Sequence, residues 1–316
     1  MRLSSPRLAF VALAVACVGL PTGVARGQIF VSDWLSGKIG EWTTSGSSTN
    51  ASLITGLSAP YGIATSGGYL YVANEQANTI GKYTMAGQVV DASFITGLSA
   101  PTQLIASGTN LYVMNTSSTT SAFTIGKYTT AGQTVSSAFI TLTNCFPYSM
   151  ALSGTSLFVV GVSFPSQSHS PNSFVVEYSA ANGSFLGDVI PEVPGSATGF
   201  YGLAASATSL YLSFYYTNGF ISEYTTSGSL VNAKLIDNLE SPQNLVLSGT
   251  DLYVLEIGPN RIGQYTTLGQ TVNAALVTGL SNPRNLAVVP EPSTYVMALA
   301  GLACGGYLVK RRRKRA

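Results

Sequence analysis

Charge is scarce in this sequence: 9 % of its 316 residues are Asp, Glu, Lys or Arg, and they are segregated. Nine of the fifteen basic residues sit at the two ends: Arg2, Arg7 and Arg26, then the run Lys310 to Arg315. Between residues 28 and 290 six Lys/Arg face twelve Asp/Glu, so the body carries about −6. An acidic, charge-poor body excludes nucleic acid as a partner, because phosphate binding needs a basic face. Histidine is almost absent. His169 is alone, in a Ser/Pro-rich insertion at 163–173, which excludes His-based metal clusters and His-dependent lyase chemistry. Three cysteines are present, and only Cys145 lies in the body, so no disulfide can form there and Cys145 reads as a small buried hydrophobe. Gly-rich phosphate loops, nucleophile elbows and HExxH are all missing. No stretch of 28–289 shows the 3.6-residue period of an amphipathic helix.

What is present begins with two terminal segments. Residues 1–27 combine a basic start, an apolar run from Leu8 to Leu20, and small residues before Gln28. That is the pattern of a secretory signal peptide, cleaved after Ala25-Arg26-Gly27, and the run is short for a span of ~20 residues. With 46 % apolar residues, the remaining chain can bury a core.

The body is a repeat. Ile39-Gly-Glu-Trp42-Thr43 returns as Ile80-Gly-Lys-Tyr83-Thr84, Ile125-Gly-Lys-Tyr128-Thr129, Val175-Val-Glu-Tyr178-Ser179, Ile221-Ser-Glu-Tyr224-Thr225 and Ile262-Gly-Gln-Tyr265-Thr266, at offsets of 41, 45, 50, 46 and 41 residues. This period suits a four-stranded propeller blade. Each unit holds four strand-like runs. The first follows a loop usually ending in Pro, as at Tyr61–Ser66. The second is of Leu-Tyr-Val type, as at Tyr69–Ala73. The third is the repeat motif, and the fourth is a short Phe-Ile-Thr run such as Phe94–Thr96. The third motif position holds Glu41, Lys82, Lys127, Glu177, Glu223 or Gln264, which reads as a solvated strand face.

The ends of the repeat fix its count. After residue 27 the chain starts on a second-type strand, Ile29–Ser32, with no first strand before it. It closes with a first-type strand, Pro283–Val289, with nothing after it. The missing strand and the surplus strand make one blade, giving an all-β, six-bladed β-propeller over 28–289, closed when 283–289 pairs with 29–32. The start Pro60-Tyr61-Gly62-Ile63-Ala64 and the run Leu70–Asn74 resemble the NHL and related propeller repeats. That resemblance implies architecture and leaves function open.

In a propeller the first strands line the channel. The position after the loop Pro reads Tyr61, Thr102, Tyr148, Tyr201, Gln243 and Arg284, and the next reads Gly62, Gln103, Ser149, Gly202, Asn244 and Asn285. Aromatic faces beside neutral hydrogen-bonding groups suit a sugar or a similar neutral ligand, although a wet channel would itself require polar positions. A second ring falls where the second strand ends, at Asp33, Asn74, Asn115 and Glu256, interrupted by Gly161 and Phe214. It resembles the Asp/Asn/Glu cation site of gluconolactonase-like propellers, which would imply Ca²⁺ and a sugar-lactone hydrolase. Otherwise no cofactor is called for. The residues themselves are equally those of turns.

The C-terminus is a separate unit, residues 290–316. Pro290-Glu291-Pro292 precedes Ser293-Thr294, a Gly/Ala-rich apolar segment over 295–309, and six basic residues. The apolar segment is marginal for a transmembrane helix, and the basic block would stay cytoplasmic by the positive-inside rule. The order of the three parts resembles the PEP-CTERM sorting signal of Gram-negative bacteria. The resemblance implies an exosortase-type membrane enzyme as partner, cleavage near Pro-Glu-Pro, transient anchoring in the inner membrane, and delivery to the cell surface or matrix in connection with exopolysaccharide and biofilm. The reading of the whole chain is an exported propeller with a non-catalytic binding or structural role toward polysaccharide or surface proteins. The alternative is a sugar-processing enzyme with an oxygen-ligated divalent cation.

Overall fold

The structure, a computed structural model, describes residues 27–116, 122–163, 172–193, 199–215 and 217–291. Residues 1–26 of the expected signal peptide, His169, Pro292 and the apolar segment 295–309 lie outside the described residues.

Alternation of β-branched and aromatic residues with turn residues produces strands only. The chain opens with β1 (Gln28–Asp33), β2 (Lys38–Thr43) and β3 (Ser48–Ile54). The second blade is β4 (Pro60–Ser66), β5 (Tyr69–Asn74), β6 (Thr79–Thr84) and β7 (Val89–Ile95). The third is β8 (Pro101–Ser107), β9 (Asn110–Asn115), β10 (Ala122–Thr129) and β11 (Thr134–Thr143). The fourth is β12 (Cys145–Ser153), β13 (Ser156–Ser163), β14 (Asn172–Ser179) and β15 (Phe185–Val193). The fifth is β16 (Phe200–Ala205), β17 (Ser209–Phe214), β18 (Gly219–Thr225) and β19 (Leu230–Leu239). The sixth is β20 (Pro242–Ser248), β21 (Asp251–Glu256), β22 (Arg261–Thr266) and β23 (Thr271–Val277). The last strand is β24 (Pro283–Val289).

These form six four-stranded antiparallel sheets, and the first has the order β24-β1-β2-β3. The closure expected from the repeat ends is therefore present. Ile29 pairs with Val288, Phe30 with Ala287 and Val31 with Leu286. The junction is also tied to the next blade. Buried Ser32 donates its hydroxyl to the Tyr61 carbonyl at 2.6 Å and accepts the Asn285 amide at 3.0 Å. Six apolar clusters hold the ring together, each lying between neighbouring blades. One joins Phe30, Ile39 and Ile54 to Ile63, Leu70 and Val72.

The Gly-x-Tyr core of the repeat has a packing cause. A Cβ on Gly81 would meet the Tyr83 ring at 2.6 Å, and Gly126 and Gly263 stand in the same relation to Tyr128 and Tyr265. Side chains two apart in a strand share a face, so the missing Cβ lets the ring fold back over the strand. Tyr83, Tyr128 and Tyr265 are buried. Where Val176 or Ser222 replaces the glycine, Tyr178 and Tyr224 are only half-buried.

The charged position inside the motif is not a solvated face. Glu41 and Lys127 are both buried at 8 % exposure. Lys127 donates to the carbonyls of Ala180 and Ala181 in the following blade, at 2.8 and 3.2 Å, with its ammonium over the Phe139 ring. Lys82 does the same toward Thr130. Glu41 accepts from Gln28 Nε2 at 2.7 Å, and Glu223 from Ser209 at 2.8 Å. The position braces neighbouring strands and blades, and long stems make that reach possible.

Candidate functional site at the channel mouth

All inner strands start on one face, called upper here, and end on the other. At the start of each inner strand the pairing with the second strand slips. Pro101 faces Asn115 and Gln103 faces Met114, leaving Thr102 unpaired. Tyr148 and Gln243 are skipped in the same way, as are Tyr61 with Gly62 and Tyr201 with Gly202. Arg284 is skipped where Asp33 faces Pro283 and Ser32 faces Asn285. A bulge frees a residue from the ladder and re-aims its side chain. The six residues read from the sequence as a ring are thus six bulge residues.

Five of them converge. Tyr61, Tyr148, Tyr201, Gln243 and Arg284 line a cavity of about 30 Å³ together with Gln103 and Asn244. In the third blade Gln103 takes the place of Thr102 there. The Tyr148 and Tyr201 rings stack at 4.0 Å and 15°. The stack continues to Tyr215 on one side, at 4.7 Å, and through Phe146 to Phe123 on the other, at 5.3 and 5.0 Å. Across the mouth, the Arg284 guanidinium lies over Trp34 and Tyr61 at 5.6 and 5.9 Å. Trp34 Nε1 donates to Glu75 at 2.6 Å. Trp34, Glu75, Phe123 and Tyr215 come from stretches between second and third strands or from their edges, which the repeat register did not nominate. For Trp34 and Tyr215 the signal was an aromatic residue directly beyond the aligned strand end.

Three polar atoms of this site are unspent. Gln243 Oε1, Asn244 Oδ1 and Arg284 Nε are buried without a protein partner among the described residues. Buried polar groups without partners are costly, and a cavity this size holds about one water or one ligand hydroxyl. Burial pushes the Tyr61 phenol up to about 12 against the pull of Arg284, and raises Tyr148 as well. Both phenols are neutral donors at physiological pH.

Below the mouth the channel wall mixes apolar side chains with Thr65, Gln103, Asn244 and Asn285. Ile63, Leu104, Met150, Leu203, Leu245 and Leu286 form its first ring, in a cavity of about 330 Å³. The polar second position instead stitches blades. Gln103 Nε2 donates to Ser149 Oγ at 3.1 Å, which also accepts the Leu203 amide at 3.3 Å.

The residues of the cation ring are each engaged within their own blade or the loop leading into it. Asp33 accepts the Ser36 amide at 3.1 Å. Asn74 donates to Thr79 while its Oδ1 is buried without a protein partner among the described residues, and Asn115 donates to Thr124 and accepts from Ser99. Glu256 receives Arg261 through Nε and Nη2 at 2.8 and 3.0 Å and the Glu240 amide at 2.8 Å. No group of three His, Cys, Asp or Glu gathers among the described residues.

Fold and site together define a closed six-bladed β-propeller whose mouth on one face is aromatic and polar, with one cation, Arg284. Its C-terminal segment matches the PEP-CTERM protein-sorting motif over residues 288–314, so the chain carries the signal of an exported protein sorted by an exosortase. No curated protein matches the chain. Among solved structures it is similar to a nidogen/laminin complex chain, with 11 % identity, TM-score 0.64, and coverage of 83 % of this chain and 98 % of that one. A gluconolactonase from Xanthomonas campestris matches with 15 % identity, TM-score 0.54, and 72 % and 78 % coverage. A structure described as a candidate 6-phosphogluconolactonase from Bacteroides uniformis matches with 13 % identity, TM-score 0.55, and 84 % and 100 % coverage. At these identities the likeness is one of fold.

Proposed function

We propose that the protein is an exported, non-catalytic binding module whose upper mouth takes neutral carbohydrate of an extracellular polysaccharide. One arrangement carries the reading: the Tyr148/Tyr201 stack beside three buried polar atoms that lack partners. A sugar offers an apolar C–H face to aromatic rings and hydroxyls to amide oxygens and a guanidinium. Neutral phenols and a single cation favour an uncharged polymer. In this reading residues 1–27 are removed on export. The body of residues 28–289 is held at the inner membrane of a Gram-negative cell by the apolar segment 295–309. An exosortase then cuts near Pro290-Glu291-Pro292 and releases it to the cell surface or matrix, where biofilm polysaccharide or surface proteins are its partners.

A calcium-dependent lactonase would need the oxygens of Asp33, Asn74, Asn115 and Glu256 free to meet on one ion. The Asp33 and Asn115 oxygens accept backbone amides and Glu256 is paired with Arg261, so of the four only Asn74 Oδ1 stands without a partner among the described residues, which supports binding over hydrolysis. The test is a glycan array probed with the protein, paired with a lactone-hydrolysis assay with and without Ca²⁺. Retention on neutral glycans that Tyr201→Ala abolishes supports the reading. Calcium-stimulated turnover with no glycan retention refutes it.

A further inference from the structure

The lower face differs in kind from the mouth. Its turns are 67–68, 108–109, 154–155, 206–208 and 249–250 between first and second strands, and 44–47, 85–88, 130–133, 180–184, 226–229 and 267–270 between third and outer strands. None of these turns contains a charged residue; they are Gly, Ser, Thr, Ala, Gln and Asn with Met85 and Leu268. The upper loops and strand ends, by contrast, carry Lys38, Glu75, Asp237, Glu240, Arg261 and Arg284.

Large apolar side chains fringe these turns. Each outer strand starts there, and at those starts Val90, Phe185, Leu186, Val231 and Val272 stand about half exposed, with Leu268 81 % exposed in the neighbouring turn. With Val135 of β11, 55 % exposed, they come from five successive blades, so the fringe runs around most of the rim. Asp91, Asp188 and Lys234 are the first charges on those strands and stand further up. The charges near this face are mostly tied into the protein: Lys82 and Lys127 donate to the turn carbonyls of Thr130 and of Ala180 and Ala181, Glu223 accepts from Ser209, and Asp251 is bonded to Gln264, while Glu291 is exposed at the chain exit.

The chain also leaves the propeller here. β24 is an inner strand, so Val289 ends at the lower face, and the sorting motif spans that exit. Only residues 290–294 separate Val289 from the apolar segment 295–309. Five residues reach at most about 18 Å. The headgroup layer on one side of a bilayer is about 6 Å thick. A chain held in the membrane by that segment has its lower face within one short tether of the lipid.

We propose that the lower face is a lipid-apposed surface: while the C-terminal segment anchors the chain, the Val/Leu/Phe fringe rests in the interfacial layer and the aromatic mouth points away. Apolar exposure beside turns of uncharged residues suits partition into an interface. The orientation presents the mouth to the extracellular side and holds Pro290-Glu291 at the membrane surface, where a membrane enzyme reaches it. The proposal is independent of what the mouth binds.

The test uses the full chain floated with phosphatidylcholine vesicles. Leu268→Trp and Leu35→Trp place a reporter on the lower and upper face, both at exposed apolar positions, 81 % and 69 %. With brominated phosphatidylcholine the emission added by Leu268→Trp is largely lost, while that added by Leu35→Trp is kept. The loss persists in high salt, and Val90→Glu, Val231→Glu and Val272→Glu together abolish it without lowering Tm. Equal quenching at both positions, no quenching at Leu268→Trp, or failure of the chain to float overturns the proposal. So does protection of the lower reporter that follows protein concentration rather than lipid, which would make this face a contact between copies.

Discussion

Tyr148 and Tyr201 belong to adjacent blades, and their phenol rings lie face to face at 4.0 Å and 15°. Neither ring gets there by strand alternation; each is the unpaired residue of a bulge at the start of its inner strand. The platform is therefore a product of blade packing, and removing one ring isolates the other. Tyr201→Ala should lower stability by roughly 2–3 kcal/mol, since its two ring contacts contribute about 0.5–1.5 kcal/mol each beyond the burial lost. It should abolish retention on a neutral glycan. Thermal unfolding together with affinity electrophoresis separates these effects. A full loss of binding with cooperative unfolding is the expected outcome, and unchanged binding removes the stack from the site.

Glu256 is fully buried and is neutralised by one partner, Arg261, through two hydrogen bonds. Removing one partner of a buried pair leaves an uncompensated charge, at about 3–5 kcal/mol. Arg261→Ala should lose most of that amount in denaturant unfolding, whereas Glu256→Gln, which keeps hydrogen bonding without the charge, should lose much less. Calcium should leave the wild-type Tm unchanged, because the Glu256 oxygens already have partners. A marked rise in Tm with calcium would restore the cation ring as a metal site.

Ring closure depends on a single non-consecutive pairing, β24 with β1. Deleting 283–289 should convert cooperative unfolding into a broad transition, since two sheet edges and the channel wall open together. Ser32→Ala is the gentler probe. It removes the hydroxyl shared by the Tyr61 carbonyl and the Asn285 amide, at about 1–3 kcal/mol for buried groups left unpaired. Urea unfolding measures both.

The architecture was readable because burial writes itself into a repeat. Inner and second strands are apolar on both sides, and their limits shift by at most a residue or two in most blades, as at Tyr69–Asn74. Closure was readable from one missing and one surplus strand. The outer strands were read too short. Phe94–Thr96 is the tail of β7, which starts at Val89, because an edge strand facing solvent has no burial pattern to show. The buried Glu41 and Lys127 were missed for a related reason. A charged residue signals solvent unless its partners are known, and theirs are carbonyls and amides of other strands. The mouth was readable by register alone. The residues from the neighbouring stretches, Trp34 and Tyr215 among them, obey no repeat and needed the fold to bring them in.

Ala59 and Ala100 stand before Pro60 and Pro101 with φ of +52° and +45°. L-residues are disfavoured there, by roughly 1–2 kcal/mol for alanine. The geometry is held from outside: the Glu75 amide donates to the Ala59 carbonyl and the Thr116 amide to that of Ala100, each at 3.1 Å. These bonds pin each inner strand to the loop that carries the mouth residues. Ala59→Gly should be neutral to about 1 kcal/mol stabilising, its relief of strain partly offset by the flexibility glycine adds to the unfolded chain. Ala59→Val should destabilise. A loss of stability in the glycine variant would show that the left-handed turn is not strained.

Alkaline pH should unfold the propeller in a defined window. Burial raises Tyr61, Tyr253 and Tyr265 to about 12 and Cys145 to about 11. The folded chain therefore holds these protons more tightly than the unfolded chain, whose phenols ionise near 10 and thiol near 9. Their stabilising contribution is complete below pH 9, shrinks as the unfolded groups ionise, and is gone once pH passes the folded values near 12. Tyrosinate absorbance and circular dichroism recorded together should change in one step between pH 10 and 12. Gradual ionisation that precedes loss of structure would instead mean that the buried tyrosines titrate within the intact ring.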